Sequence, residues 1–271
     1  MTKFRALLPT ALIAAAVAHS ATAQTVPEDV LHAELVPGWM EPGGRQVAAL
    51  HLTLAPGWKT YWRHPGDAGI PPVFDWSGSA NVAGVEVAWP HPQVFDTDGL
   101  RTIGYKTEVW LPIEIEARDP ARPVALKGQA QLGVCREVCL PVEIGFAADL
   151  PPGSDPGPAA PAIRAALDSV PAQGSGRGKA TCEIAPIPDG LRLTARIAVA
   201  SQGGEELVFL EPDRGDLWVS PPEVSRAGNT LTASAELVPP DGKPFALDRS
   251  AIGFTVLGAE GSVQVRGCSP G

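Results

Sequence analysis

A chain of 271 residues with 30 acidic and 21 basic side chains carries a formal charge of −9 and no basic cluster, which excludes nucleic acid and anionic membrane surfaces as partners. Twenty-nine prolines and 29 glycines with little helical periodicity point to short strands and frequent turns, an all-β class. The length is comfortable for two small domains and long for one sandwich.

The N-terminus reads as an export signal. Lys3 and Arg5 precede an apolar run over Ala6–Ala18, and Ala21-Thr22-Ala23 is a small-residue cleavage site. The run is too short to span a bilayer, and no later run approaches that length, so no stable membrane insertion is expected. Residues 1–23 are the predicted signal peptide, and an exported chain places the four cysteines in an oxidising compartment.

Past the signal, 45–54 alternates, with Ala48, Leu50, Leu52 and Leu54 on one face. Residues 56–76 (PGWKTYWRHPGDAGIPPVFDW) show no sustained period and read as a loop rich in aromatics. Strand patterns resume at 82–89 and 109–115. The sharpest follows two cysteines in GQAQLGVCREVCLPVEIGFAADL (128–150), where Val142, Ile144, Phe146, Ala148 and Leu150 share one side. A weaker alternation before the cysteines makes the segment a hairpin, with Cys135 and Cys139 flanking its turn. A three-residue gap across a tight antiparallel turn puts the two Cα atoms roughly 4.5–5.5 Å apart, within disulfide range. So small a ring adds little stability, because the entropic gain grows with loop length; a bond there serves chemistry better than mechanics.

PPGSDPGPAAP opens a linker over 151–178, with a short helix expected at 162–169 behind Pro161. A second series follows: Leu191 to Val199, Leu231 to Leu237, and Ile252, Phe254 and Val256 alternate. The predicted architecture is therefore two tandem immunoglobulin-like antiparallel β-sandwiches, at 24–150 and 179–271. In such a sandwich the first and last strands lie close, which pairs Cys182 with Cys268 as a structural disulfide of about 4–5 kcal/mol.

Three motifs in one order, GWKTYWRHPGDAGIPPVFDW (57–76), TIGYKTEVWLP (102–112) and VCREVCLP (134–141), resemble the N-terminal periplasmic region of DsbD-type thiol:disulfide interchange proteins, with the nearer likeness to the ScsB-like branch. The likeness is strongest over 30–150 and mostly architectural from 176 to 271. It implies that Cys135 and Cys139 are a redox pair and that Cys139, beside Leu140-Pro141, is the attacking thiol. It also implies a periplasmic protein fed by a thioredoxin-like or DsbD-type membrane electron donor, which reduces disulfide-bearing exported proteins. A cap loop would lie in 95–105, with Phe95 and Tyr105 as candidate capping side chains. The three-residue spacing is tighter than in the best-known members. No membrane bundle or thioredoxin-like domain occurs within the sequence, so the donor is expected to be a separate protein.

Arg136 and Arg101 are candidates for lowering a thiol pKa, with Glu137 opposing. The competing reading is a non-catalytic binding module handling copper through the cysteines and His51, His64 or His91. Met40 is the only methionine besides Met1, which excludes a methionine-rich copper site. The tryptophans at 58, 62, 76, 89 and 110 read mainly as core, with Tyr61 and Trp62 the least assignable. Asp67, Asp75, Asp96 and Asp98 lack the paired setting of hydrolytic acids. No nucleophile elbow, phosphate loop or zinc-protease motif occurs, and neither cofactor nor metal is expected.

Overall fold

The computed structural model describes residues 29–97, 99–174, 180–243 and 245–271. The predicted signal at 1–23, the glycine-rich end of the linker at 175–178, and Asp98 lie outside the described residues. The chain is mostly β with one short helix, in two β-rich halves of two sheets each.

The first half holds β1 (Leu31–Met40), β2 (Gln46–Leu54), β3 (Lys59–Gly66), β4 (Val73–Asp75), β5 (Val82–Val87), β6 (Gln93–Thr97), β7 (Leu100–Lys106), β8 (Glu108–Ala117), β9 (Val124–Cys135) and β10 (Cys139–Leu150). One sheet runs β1-β2-β8-β5. The other runs β10-β9-β3-β7-β6, with β4 also pairing to β9. Their inner faces meet in a core of Leu50, Leu52, Ile113, Ile115, Leu126, Leu132 and Val134, the inward positions of a period-two pattern.

Helix α1 (Ala160–Asp168), with Pro161 in its first turn, starts two residues before the expected position. It seats Ala160 and Ile163 on Trp39, Val47 and Ala49, on the outer face of the β1-β2 sheet. This explains why β2 is buried on both faces over Gln46–Leu50, where the sequence pattern leaves one face to solvent. The segment read as a linker is thus packed structure: Gln46 donates to the Pro151 carbonyl, and the Met40 amide to that of Ser154.

The second half holds β11 (Ala172–Gln173), β12 (Ala180–Ile187), β13 (Gly190–Ala198), β14 (Leu207–Glu211), β15 (Trp218–Val219), β16 (Glu223–Ala227), β17 (Thr230–Val238), β18 (Gly253–Leu257), β19 (Ser262–Arg266) and β20 (Ser269–Pro270). Its sheets run β11-β19-β18-β14 and β15-β17-β13-β12-β20, with β16 on β17; β11 and β20 pair in parallel, the other ladders antiparallel. Cys182 on β12 is bonded to Cys268, just ahead of β20, which lies beside β12.

The halves meet face to face. The side of β14 and β18 turned from their own core presents Leu207, Phe209, Glu211, Thr255 and Leu257, and Leu257 is buried in the first half's core cluster. Phe209 stacks on His64 and meets Trp62 edge to face. Glu211 accepts hydrogen bonds from Arg63 (3.0 Å), His64 (2.6 Å), Thr255 (3.1 Å) and Gln264 (3.0 Å). Burial opposes its charge, but the hydrogen bonds from His64 and Arg63 and their positive charge win, holding its pKa at about 2.

Candidate functional site

The hairpin of β9 and β10 forms as its pattern dictates, in unbroken register from Leu150 opposite Val124 to Cys139 opposite Cys135. Arg136–Val138 make the turn, closed by the Arg136 amide on the Val138 carbonyl. The two cysteines are directly opposed and disulfide-bonded, with Cα atoms 4.1 Å apart. Inward positions of β9 are even-numbered, so Cys135 and its partner lie on the outer face of the sheet. The pair is asymmetric: Cys135 is 2% exposed, whereas Cys139 is open to solvent.

Tyr61 creates that asymmetry. It stands on β3 on the sulfurs' face, and its hydroxyl donates to Cys135 Sγ at 2.6 Å while lying 3.2 Å from Cys139 Sγ. Room for the ring comes from Gly133, two residues before Cys135 on the same face. A Cβ there would stand 2.8 Å from Ile70 Cβ and 2.9 Å from the Tyr61 ring. Gly69 and Ile70 close over the ring from the loop between β3 and β4. Burial raises the phenol's pKa, so the group stays protonated and remains a donor.

Several expectations need correction. Residues 59–66, read as loop, form β3; their alternation of Lys59, Tyr61 and Arg63 against Thr60, Trp62 and His64 is masked because neither face is plainly apolar. The candidate cap segment is not a loop but the β6–β7 hairpin. Tyr105 points to the inner face, 6% exposed, and its hydroxyl donates to the Pro90 carbonyl at 2.8 Å, so it is a core residue. Phe95 is on the sulfurs' face but three strands from Cys135, beneath the ammonium groups of Lys59 and Lys106. The side chain that touches both sulfurs is Tyr61.

Arg101 is committed elsewhere, to Glu205 and Asp96, while Arg136 lies over the Trp58 ring. The three histidines are scattered: His51 stacks on Trp110 and pairs with Glu108, His64 pairs with Glu211, and His91 meets Ser262. Among the described residues no three His, Cys, Asp or Glu side chains converge as a metal site. Trp62 is wholly buried where the halves meet.

The hairpin disulfide thus joins an exposed Cys139 to a covered Cys135. The family model for the N-terminal region of the thiol:disulfide interchange protein DsbD matches residues 27–150. That region belongs to the DsbD N-terminal domain family. The matched span includes both cysteines, Tyr61 and all ten strands of the first half. In fold, the whole chain is similar to the crystal structure of the N-terminal periplasmic domain of ScsB from Proteus mirabilis, with a TM-score of 0.62 and 23% sequence identity. The alignment covers 92% of this chain and 98% of that one, so the likeness extends beyond the DsbD N-terminal domain into the second half. No curated protein matches the sequence. Among the described residues no helix is long and apolar enough to cross a membrane.

Proposed function

We propose that this chain is a periplasmic thiol–disulfide exchange module, exported by its leader at 1–23 and built as two immunoglobulin-like sandwiches, 24–150 and 179–271, around the connector 151–178. Cys135 and Cys139 are its redox pair. A thioredoxin-like or DsbD-type membrane donor supplies its electrons, and disulfide-bearing exported proteins receive them. The observation that carries this reading is the hairpin disulfide itself, with Cys139 open to solvent and Cys135 sealed beneath a phenol that donates to it.

Loading begins when a donor thiolate attacks Cys139 Sγ, the reachable sulfur. The donor–Cys139 bond forms as the Cys135–Cys139 bond breaks, and the electron pair leaves on Cys135 Sγ. There the Tyr61 hydroxyl, a weak partner for a neutral disulfide, becomes a charge-assisted donor to a thiolate, about twice as strong. Tyr61 thus favours the product of the first step over its reactant. The donor's second thiolate then attacks the donor sulfur of the mixed disulfide and frees Cys139. With two protons from solvent the pair has gained two electrons, and the donor is left as a disulfide. In the other half-cycle Cys139 thiolate attacks a substrate disulfide, and Cys135 resolves the mixed intermediate.

The test is a pair of variants. Cys135→Ala should accumulate mixed disulfides through Cys139, and Cys139→Ala should accumulate few. Equal trapping by both, or none by either, would defeat the assignment. So would a 135–139 bond that resists a mild thiol buffer as well as 182–268 does.

A further inference from the structure

The ladders of the redox sheet place four residues in one transverse row. Cys139 is opposite Cys135, Cys135 opposite Lys59, and Lys59 opposite Lys106. Cross-strand partners share a face, so both lysines stand on the sulfurs' side of the sheet, in a row about 15 Å long. The Lys59 ammonium donates to Thr102 Oγ1 at 2.8 Å and lies 5.2 Å from the Phe95 ring centroid; that of Lys106 lies 4.5 Å from it. One aromatic ring holds two like charges together.

Neither ammonium has a carboxylate within ion-pair distance among the described residues. Nearby acids do not neutralise them. Glu108 is engaged with His51, and Asp96, on the opposite face of β6 from Phe95, with Arg101. In the hairpin turn Arg136 and Glu137 offset each other. Burial, followed by repulsion from Lys106, lowers the Lys59 pKa, as befits a cation that lacks a counter-charge. An uncompensated pair of lysines is out of character for a chain of charge −9, and it lies two and three strands from the exposed Cys139 in the same row.

We infer that Lys59 and Lys106, seated on Phe95, form a cationic docking rim for an exchange partner whose own cysteine is bordered by acidic side chains. The inference rests on the exchange reading above and names the partner's surface chemistry. Opposite charge on the partner raises the encounter rate and orients its sulfur toward Cys139, an effect that salt screens.

The experiment measures the second-order rate of reduction of the 135–139 bond by two short cysteine peptides, one with flanking aspartates and one with flanking lysines, each normalised to its thiolate concentration. Mercaptoethanol, which carries no charge beyond its reacting thiolate, serves as the reference. At low ionic strength the acidic peptide should react about three- to tenfold faster than the basic one, and 0.5 M salt should bring the ratio near one. Lys59→Gln with Lys106→Gln should abolish the preference and leave the mercaptoethanol rate within about twofold. Lys106→Gln alone, at an exposed position outside the Thr102 hydrogen bond, should weaken it. No preference in the wild-type protein, or a preference that survives the double substitution, overturns the docking rim. A bond that mercaptoethanol itself cannot open overturns the exchange reading instead, so the two failures are distinct.

Discussion

Two disulfides sit in two halves of the same build, each a four-stranded sheet with a six-stranded one, and they differ in almost every physical respect. Cys182–Cys268 closes 86 residues, and Cys182 is wholly buried in the second core. Cys135–Cys139 closes four, lies on an outer face, and exposes one partner beside a phenol and two lysines. In the chain-entropy model the first ring is worth about 4.6 kcal/mol and the second about 2. A bond's role follows from its loop length and from the face of the sheet it occupies.

That contrast can be broken from either side. The largest effect belongs to Cys139→Ser, which should lower exchange at least about a thousandfold while changing the unfolding free energy by no more than about 2 kcal/mol, read from exchange rates and denaturant titration. The mirror experiment, Cys182→Ala with Cys268→Ala, should cost about 2–5 kcal/mol of stability and leave exchange within about twofold. A folded double variant without exchange would show that the second bond is more than a staple.

Next comes the joint between the halves. The Glu211 carboxyl sits at about 2 in the folded protein, below its ordinary 4.5. A depressed carboxyl stabilises the fold fully above its unfolded pKa and loses that contribution as pH falls through its folded one. The window is therefore about pH 4.5 down to 2, and the contribution about 3 kcal/mol. Glu211→Gln should remove a similar amount at neutral pH and flatten the acid limb of a stability profile within that window. The smallest effect is that of Tyr61→Phe, which keeps the ring and deletes the donor. Reduction of the 135–139 bond should slow about tenfold, and the Cys135 thiolate should form less readily without its donor, with the melting temperature little changed.

The hairpin was legible because its two signals agree: apolar residues recur at every second position from Val142 to Leu150, and the cysteines flank a gap short enough to be a turn. β3 was hidden because its outer face is covered locally, by Gly69 and Ile70 over Tyr61, and its far end, from Trp62 to His64, meets the other half of the molecule. The same reason hides the second burial of β18, whose Thr255 and Leu257 look solvent-facing until the first half is set against them. Periodicity reports burial within one sandwich; it is silent about faces closed by a neighbour. Gly133 was the missed clue to Tyr61, a residue without a side chain two positions before a cysteine on the same face, where something large must approach.

One consequence concerns cutting the molecule in two. Along β3 only one residue, about 7 Å of chain from Cα to Cα, separates the phenol at the sulfurs from the guanidinium in the joint. A fragment ending at 150 would retain every atom of the proposed exchange site. It would also hand Trp62 and Arg63 to water and strip the helix from the back of β2. The proposed exchange would then run on a strand whose far end has lost its anchor, so rates from such a fragment would differ from those of the two-half chain.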